Sequence, residues 1–127
     1  MHKTHNFVTF EQAQVLKDLG FDWACHKYFL IEGTDGNNAK MRSVRIPIDY
    51  SGYDDLYSVP SLCQVREWME RQLEMKLEIH FSNKYFFTIE YGKLKYTQPD
   101  YCYRYEQALS AGIDKAIQIL KQQNNGK

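Results

Sequence analysis

The sequence has no cysteine pair at metal-site or redox spacing, no excess charge of either sign and no long apolar run. Each absence removes a class of function. Its three cysteines, Cys25, Cys63 and Cys102, are odd in number and far apart, so neither a disulfide framework nor a zinc finger reads out. Free thiols persist where glutathione keeps them reduced, which points to a cytoplasmic location. Lysine and arginine number 16 against 16 aspartates and glutamates, so bulk attraction to nucleic acid or an anionic surface is not expected. No apolar stretch approaches the roughly 20 residues that cross a bilayer. The opening MHKTHNFVTFEQ lacks the apolar centre of a signal peptide, and no membrane association is expected. GxGxxG, a Walker loop, HExxH and GxSxG are all missing. No cofactor, metal or catalytic residue has a visible anchor, and an enzyme is not expected.

What remains is a chain of 127 residues, 43% hydrophobic, long enough to bury an apolar core without staples. It is expected to form one domain, 1–127, with 1–8 and 122–127 flexible. The abundant residue is tyrosine, ten of them beside seven Phe and two Trp, a composition that suits strands and contact surfaces alike. Thr9 and Gln12 form a capping box ahead of Phe10, Ala13, Leu16 and Leu19, which predicts a first helix closed by Gly20 and Phe21. HKYFLIE, the GTDGNNAK loop and SVRIPI predict a hairpin, with Val44, Ile46 and Ile48 on one face. Pro47 places the second of these strands at a sheet edge.

Pro60, Ser61 and Gln64 then introduce a second helix with Leu62, Val65, Trp68, Met69 and Leu73 as its apolar stripe. Arg66–Glu70 and Glu67–Arg71 are spaced as exposed ion pairs. LEIHF and YFFTIEY form a second hairpin. Leu77, Ile79 and Phe81 share one side of the first strand, and Tyr85, Phe87, Ile89 and Tyr91 share one face of the second; KLKYT after Gly92 is either a further short strand or a frayed extension. A third helix runs from about Tyr103 through Leu120, with Ala108, Gly112 and Ala116 keeping one strip thin. The order α-β-β-α-β-β-α makes an α+β fold, an antiparallel sheet of two hairpins with three helices.

Few constellations invite chemistry. The histidines His2, His5, His26 and His80 lack the short-range pairing of a metal site. Cys63, in the first turn of the second helix, is the one thiol that a helix dipole could activate, against the plainer reading of a small buried filler. The loop DYSGYDDLY places Tyr50, Tyr53 and Tyr57 beside Asp49, Asp54 and Asp55. Tyr50, Tyr53, Asp54, Asp55 and Tyr57 are the first candidates for an exposed contact with a protein partner or a second copy of the chain. On the second hairpin, Lys84, Phe86, Lys93, Lys95 and Tyr96 interleave cations with rings, a pattern that suits single-stranded nucleic acid. Net neutrality hides an asymmetry. Residues 49–75 hold two arginines against six acids, whereas 76–127 hold eight bases against five acids, a distribution that favours complementary association.

Three segments, LKDLGF at 16–21, YSVPSLCQVREWMERQLEM at 57–75 and YEQALSAGIDKAIQIL at 105–120, resemble a group of small uncharacterised proteins carried by prophages and mobile elements of gut bacteria. The likeness rests on packing positions such as Leu16, Gly20, Phe21, Pro60, Trp68, Ala108 and Leu109. It implies an accessory intracellular role and brings no site residues with it. The reading that results is a small non-enzymatic interaction module. A single-strand binder and an enzyme built on an unrecognised thiol are the alternatives.

Overall fold

The computed structural model describes residues 7–32 and 38–125; the expected loose ends at 1–6 and 126–127, and the turn at 33–37, lie outside them. The protein is α+β. Its elements are α1 (Phe10–Asp18), β1 (Cys25–Glu32), β2 (Asn38–Ile48), β3 (Leu56–Ser58), α2 (Leu62–Leu73), β4 (Met75–Ser82), β5 (Lys84–Tyr91), β6 (Leu94–Thr97) and α3 (Tyr105–Asn125). The two hairpins do not share one sheet. Each acquires a third strand, giving the orders β2-β1-β3 and β4-β5-β6, all antiparallel. The short added strands occupy the free edges of β1 and β5, so neither hairpin needs the other to complete its ladders. The chain divides accordingly into two compact units, Phe7–Ser61 and, among the described residues, 62–125.

In the N-terminal unit, Thr9 and Gln12 form the reciprocal capping box at 3.1 and 2.9 Å, an arrangement that contributes about 1 kcal/mol. The helix closes as the glycine dictates. Gly20 takes φ +95°, its N–H donates to Lys17 O, and the N–H of Phe21 reaches Leu16 O at 2.9 Å, the paired bonds of a Schellman closure. Ala13 and Leu16 are buried, α1 packs on β3, and Phe10 meets Phe29 and Tyr57 edge-on at 5.3 and 5.4 Å. Val8 is held rather than loose: it is buried, and its N–H donates to Pro60 O at 3.2 Å.

β2 begins five residues before SVRIPI and lies at the sheet edge, as Pro47 requires. Cys25 stands opposite Ile48 but Lys27 opposite Ser43. Residues 44–47 therefore bulge against His26, and the bulge absorbs the proline's missing donor. Ile46, expected to share a face with Val44 and Ile48, is 74% exposed.

In the C-terminal unit, α2 buries Leu62, Val65, Trp68 and Met69, each worth about 1.5–3 kcal/mol on removal from water. α2 packs on β4 and α3, and α3 packs on β4 and β5. The expected second hairpin forms, and its register sets Leu77 opposite Ile89, Ile79 opposite Phe87 and Phe81 opposite Tyr85. Glu67 and Arg71 pair at 2.7 Å. Arg66 turns elsewhere, its Nε donating to Leu77 O at 2.8 Å and its Nη1 to the Tyr105 hydroxyl at 3.1 Å. The tail expected from 122 onward is helical through Asn125.

The thin strip on α3 has a specific use at Gly112. A Cβ there would lie 2.7 Å from Leu77 Cδ1 and 3.2 Å from Phe87 Cγ, with both side chains buried. Alanine gains up to about 1 kcal/mol of helix propensity but meets an overpacking cost of about 1–3 kcal/mol. Gly112→Ala should therefore lower stability by about 1 kcal/mol in a urea titration, and combining it with Leu77→Val should cost less than the sum of the two single changes.

Candidate functional site

The tyrosine loop between β2 and β3 is structural for most of its length. Asp49 Oδ1 accepts from the Ser51 N–H at 2.9 Å, and the Tyr53 N–H donates to Tyr50 O at 3.1 Å, so the chain turns twice in five residues. Lys17, in the last turn of α1, anchors the rest of the loop. Its Nζ donates to the carbonyls of Tyr53 and Leu56 and sits 4.6 Å from the centre of the Tyr57 ring. Tyr50 is drawn inward against Tyr28 at 4.8 Å and is only 3% exposed. Tyr57 belongs to β3 opposite Phe29 and is half-buried. The expected five-residue contact surface is thus corrected to three residues, Tyr53, Asp54 and Asp55, which remain exposed. The reason is hydrogen bonding: β3 fills the open edge of β1 and takes the end of the loop with it.

This packing also shifts two proton equilibria upward. Burial pushes the Cys25 thiol up to about 11, with Asp49 adding to the rise and the nearby Ser58 hydroxyl offsetting part of it. Tyr50 is raised from its ordinary value of 10.0 by burial first, then by Tyr28, Cys25 and Tyr53. The Tyr50 and Ser58 hydroxyl oxygens are buried with no hydrogen-bond partner among the described residues.

The C-terminal unit carries a second group of exposed aromatic residues. β4 and β5 present His80, Phe86, Lys84 and Thr88 on the face turned away from the helices, as the register requires. His80 stacks on Phe86 at 5.0 Å and its Nε2 lies 2.9 Å from Thr88 Oγ1. After β6 the chain stays beside β5. Gln98 Oε1 accepts from the Phe87 N–H at 3.2 Å while the Gln98 N–H donates to Phe87 O at 3.0 Å. Tyr85 and Cys102 then exchange both backbone bonds at 2.8 and 2.7 Å. This second clasp carries Tyr101 and Tyr103 to the end of the hairpin. Tyr101 meets Phe86 edge-on at 5.6 Å, Lys84 lies 4.9 Å from the Tyr103 ring, Phe81 contacts Tyr85 at 4.8 Å, and Tyr85 meets Tyr105 at 6.0 Å. Phe81, Tyr101, Tyr103 and Tyr105 are 65%, 57%, 78% and 37% exposed. They make an aromatic rim around the hairpin end.

The residues assigned to single strands do not share one face. Lys84, Phe86 and Lys95 face away from the helices with Glu78 and Glu90, and Lys93 lies in the turn. Tyr96 pairs with Ile89 and stacks on Phe87 at 5.8 Å under Lys115, on the helix side. The rim itself was missed because Tyr101 and Tyr103 precede a helix and follow no strand pattern; only their density, YCYRY at 101–105, marks them. Cys63 is exposed, not the buried filler of the plainer reading, and Cys25 is the buried thiol. Among the described residues no group of three or more His, Cys, Asp or Glu could hold a metal ion, and no helix is long and apolar enough to cross a membrane. No protein-family model, curated protein or solved structure matches the chain.

Two measurements check this division. Tyr50→Ser should cost about 3–5 kcal/mol, the range for emptying a buried aromatic site, whereas Tyr53→Ser should stay within about 0.5 kcal/mol in the same denaturant titration. Cys25 and Tyr50 hold their protons more firmly folded than unfolded. The stability they contribute is complete below pH 9 and is lost as pH rises through about 11 for Cys25. A series of urea midpoints from pH 8 to 11 should fall, and the fall should be shallower in Cys25→Ala.

Proposed function

We propose that the protein is a small non-enzymatic protein-interaction module and that the aromatic rim of the C-terminal unit, rather than the Tyr50–Tyr57 loop, is its contact surface. The carrying observation is four large rings left 37–78% exposed at one end of one hairpin. Single exposed apolar residues are ordinary, but several gathered at one hairpin end are what binding surfaces carry: Phe81 and Tyr105 meet through Tyr85 on one face, Tyr101 meets Phe86 on the other, and Tyr103 lies under Lys84. Tyrosine suits the role because its ring supplies apolar area while its hydroxyl tolerates water before a partner arrives. The rim is also pre-ordered. The Tyr85–Cys102 backbone bonds and the Tyr85–Tyr105 contact hold the rings in place, so a partner orders few side chains on binding. A base-stacking role is less well supported, since Phe86 is already stacked on His80 and met at right angles by Tyr101, and two glutamates share its face. This role fits the accessory one that the prophage resemblance implies.

Phe81→Ser/Tyr101→Ser/Tyr103→Ser should leave the thermal midpoint within about 3 °C of wild type, as expected for surface sites. Matched affinity captures from the same lysate should recover a protein partner with wild type that the triple variant loses. Identical captures would discard the rim, and low-salt binding of single-stranded oligonucleotides by wild type alone would replace this reading with the nucleic-acid one.

A further inference from the structure

Two hydroxyls lie buried at the ends of the 49–58 segment. Tyr50 is 3% exposed and Ser58 9%, and neither Tyr50 Oη nor Ser58 Oγ has a hydrogen-bond partner among the described residues. A buried hydroxyl left unpaired forfeits the bonds it makes to solvent in the unfolded chain. Folded proteins rarely leave such groups without a partner of some kind.

The two residues share a cavity. Tyr50 and Ser51 of the loop and Ser58 of β3 line it together with Ala13, Leu16 and Lys17 of α1. The space open to the centre of a water there is about 10 Å³, which suits one water and is too small for a larger molecule. Apolar cavities stay dry, but a small one holds a water where two or more polar groups can bond it. Neighbouring groups do not take these hydroxyls instead. Lys17 directs its ammonium to the carbonyls of Tyr53 and Leu56, and the Ser51 N–H donates to Asp49. The Cys25 thiol lies near Ser58 but donates to Trp23 O at 3.6 Å, and sulfur is a weak acceptor.

We propose that this cavity is a binding site for a single water, which bridges Tyr50 Oη and Ser58 Oγ. A bridged pair of hydroxyls is nearly as well satisfied as a directly bonded one. Tyr50 is the second residue after β2 and Ser58 the last of β3, so the bridge pins the two ends of a loop whose middle Lys17 holds.

Oxygen-17 relaxation dispersion of the intact protein counts waters held for longer than the molecule tumbles. Wild type should hold one more of them than Tyr50→Phe/Ser58→Ala. The signal comes from the water oxygen, so exchange of hydroxyl protons does not imitate it. In urea titrations Tyr50→Phe and Ser58→Ala should each raise the unfolding constant about fivefold, and the double variant should raise it by about the same factor, not by their product. Equal counts of long-lived water in the two proteins would overturn the proposal. Single changes that leave the unfolding constant unaltered or lower it would do the same, because removing an unpaired hydroxyl from a dry site costs nothing. Coupling of Ser58→Ala to Cys25→Ala, with none to Tyr50→Phe, would replace the water by a direct hydroxyl–thiol bond.

Discussion

A central strand in a sheet has two edges, and each must find hydrogen-bond partners or lose about 1–3 kcal/mol for every buried backbone group left unpaired. In this protein that requirement shapes both units. β1 and β5 are central strands whose hairpin partners fill only one edge. The second edge of β1 is filled by β3 and the second edge of β5 by β6, followed by Gln98 and Cys102. The segments recruited for this purpose are the two tyrosine-rich stretches of the chain, and the same demand treats them in opposite ways.

In the N-terminal unit the recruited stretch approaches from a turn, and completing the ladder brings Tyr57 beside Phe29 and lets Tyr50 settle on Tyr28. Lys17 then closes the arrangement by engaging two loop carbonyls from α1. Residues suited to a contact surface become part of a core, and the thiol and phenol buried with them lose their ordinary acidity. In the C-terminal unit the recruited stretch runs past the end of the ladder. The rings of Tyr101 and Tyr103 remain exposed there.

The two edge strands show a related contrast. Arg66 closes β4 at Leu77 by committing a side chain that helical spacing would have assigned to Glu70. β2 instead carries a lysine, a bulge and a proline, devices that discourage a further strand from pairing with an edge.

Local patterns in the sequence were sufficient for the α+β class, the capping box at Thr9, the Gly20 closure, and the second hairpin with its alternating strands. Each depends on residues within a turn or a hairpin of one another, where side-chain period and backbone sterics leave few options. Tertiary structure decided which tyrosines are buried, that the hairpins occupy separate sheets, and that Ile46 faces solvent while Tyr96 faces the helices. Those outcomes turn on which distant segment reaches an open strand edge first, and a phenol ring is equally at home on either side of that event.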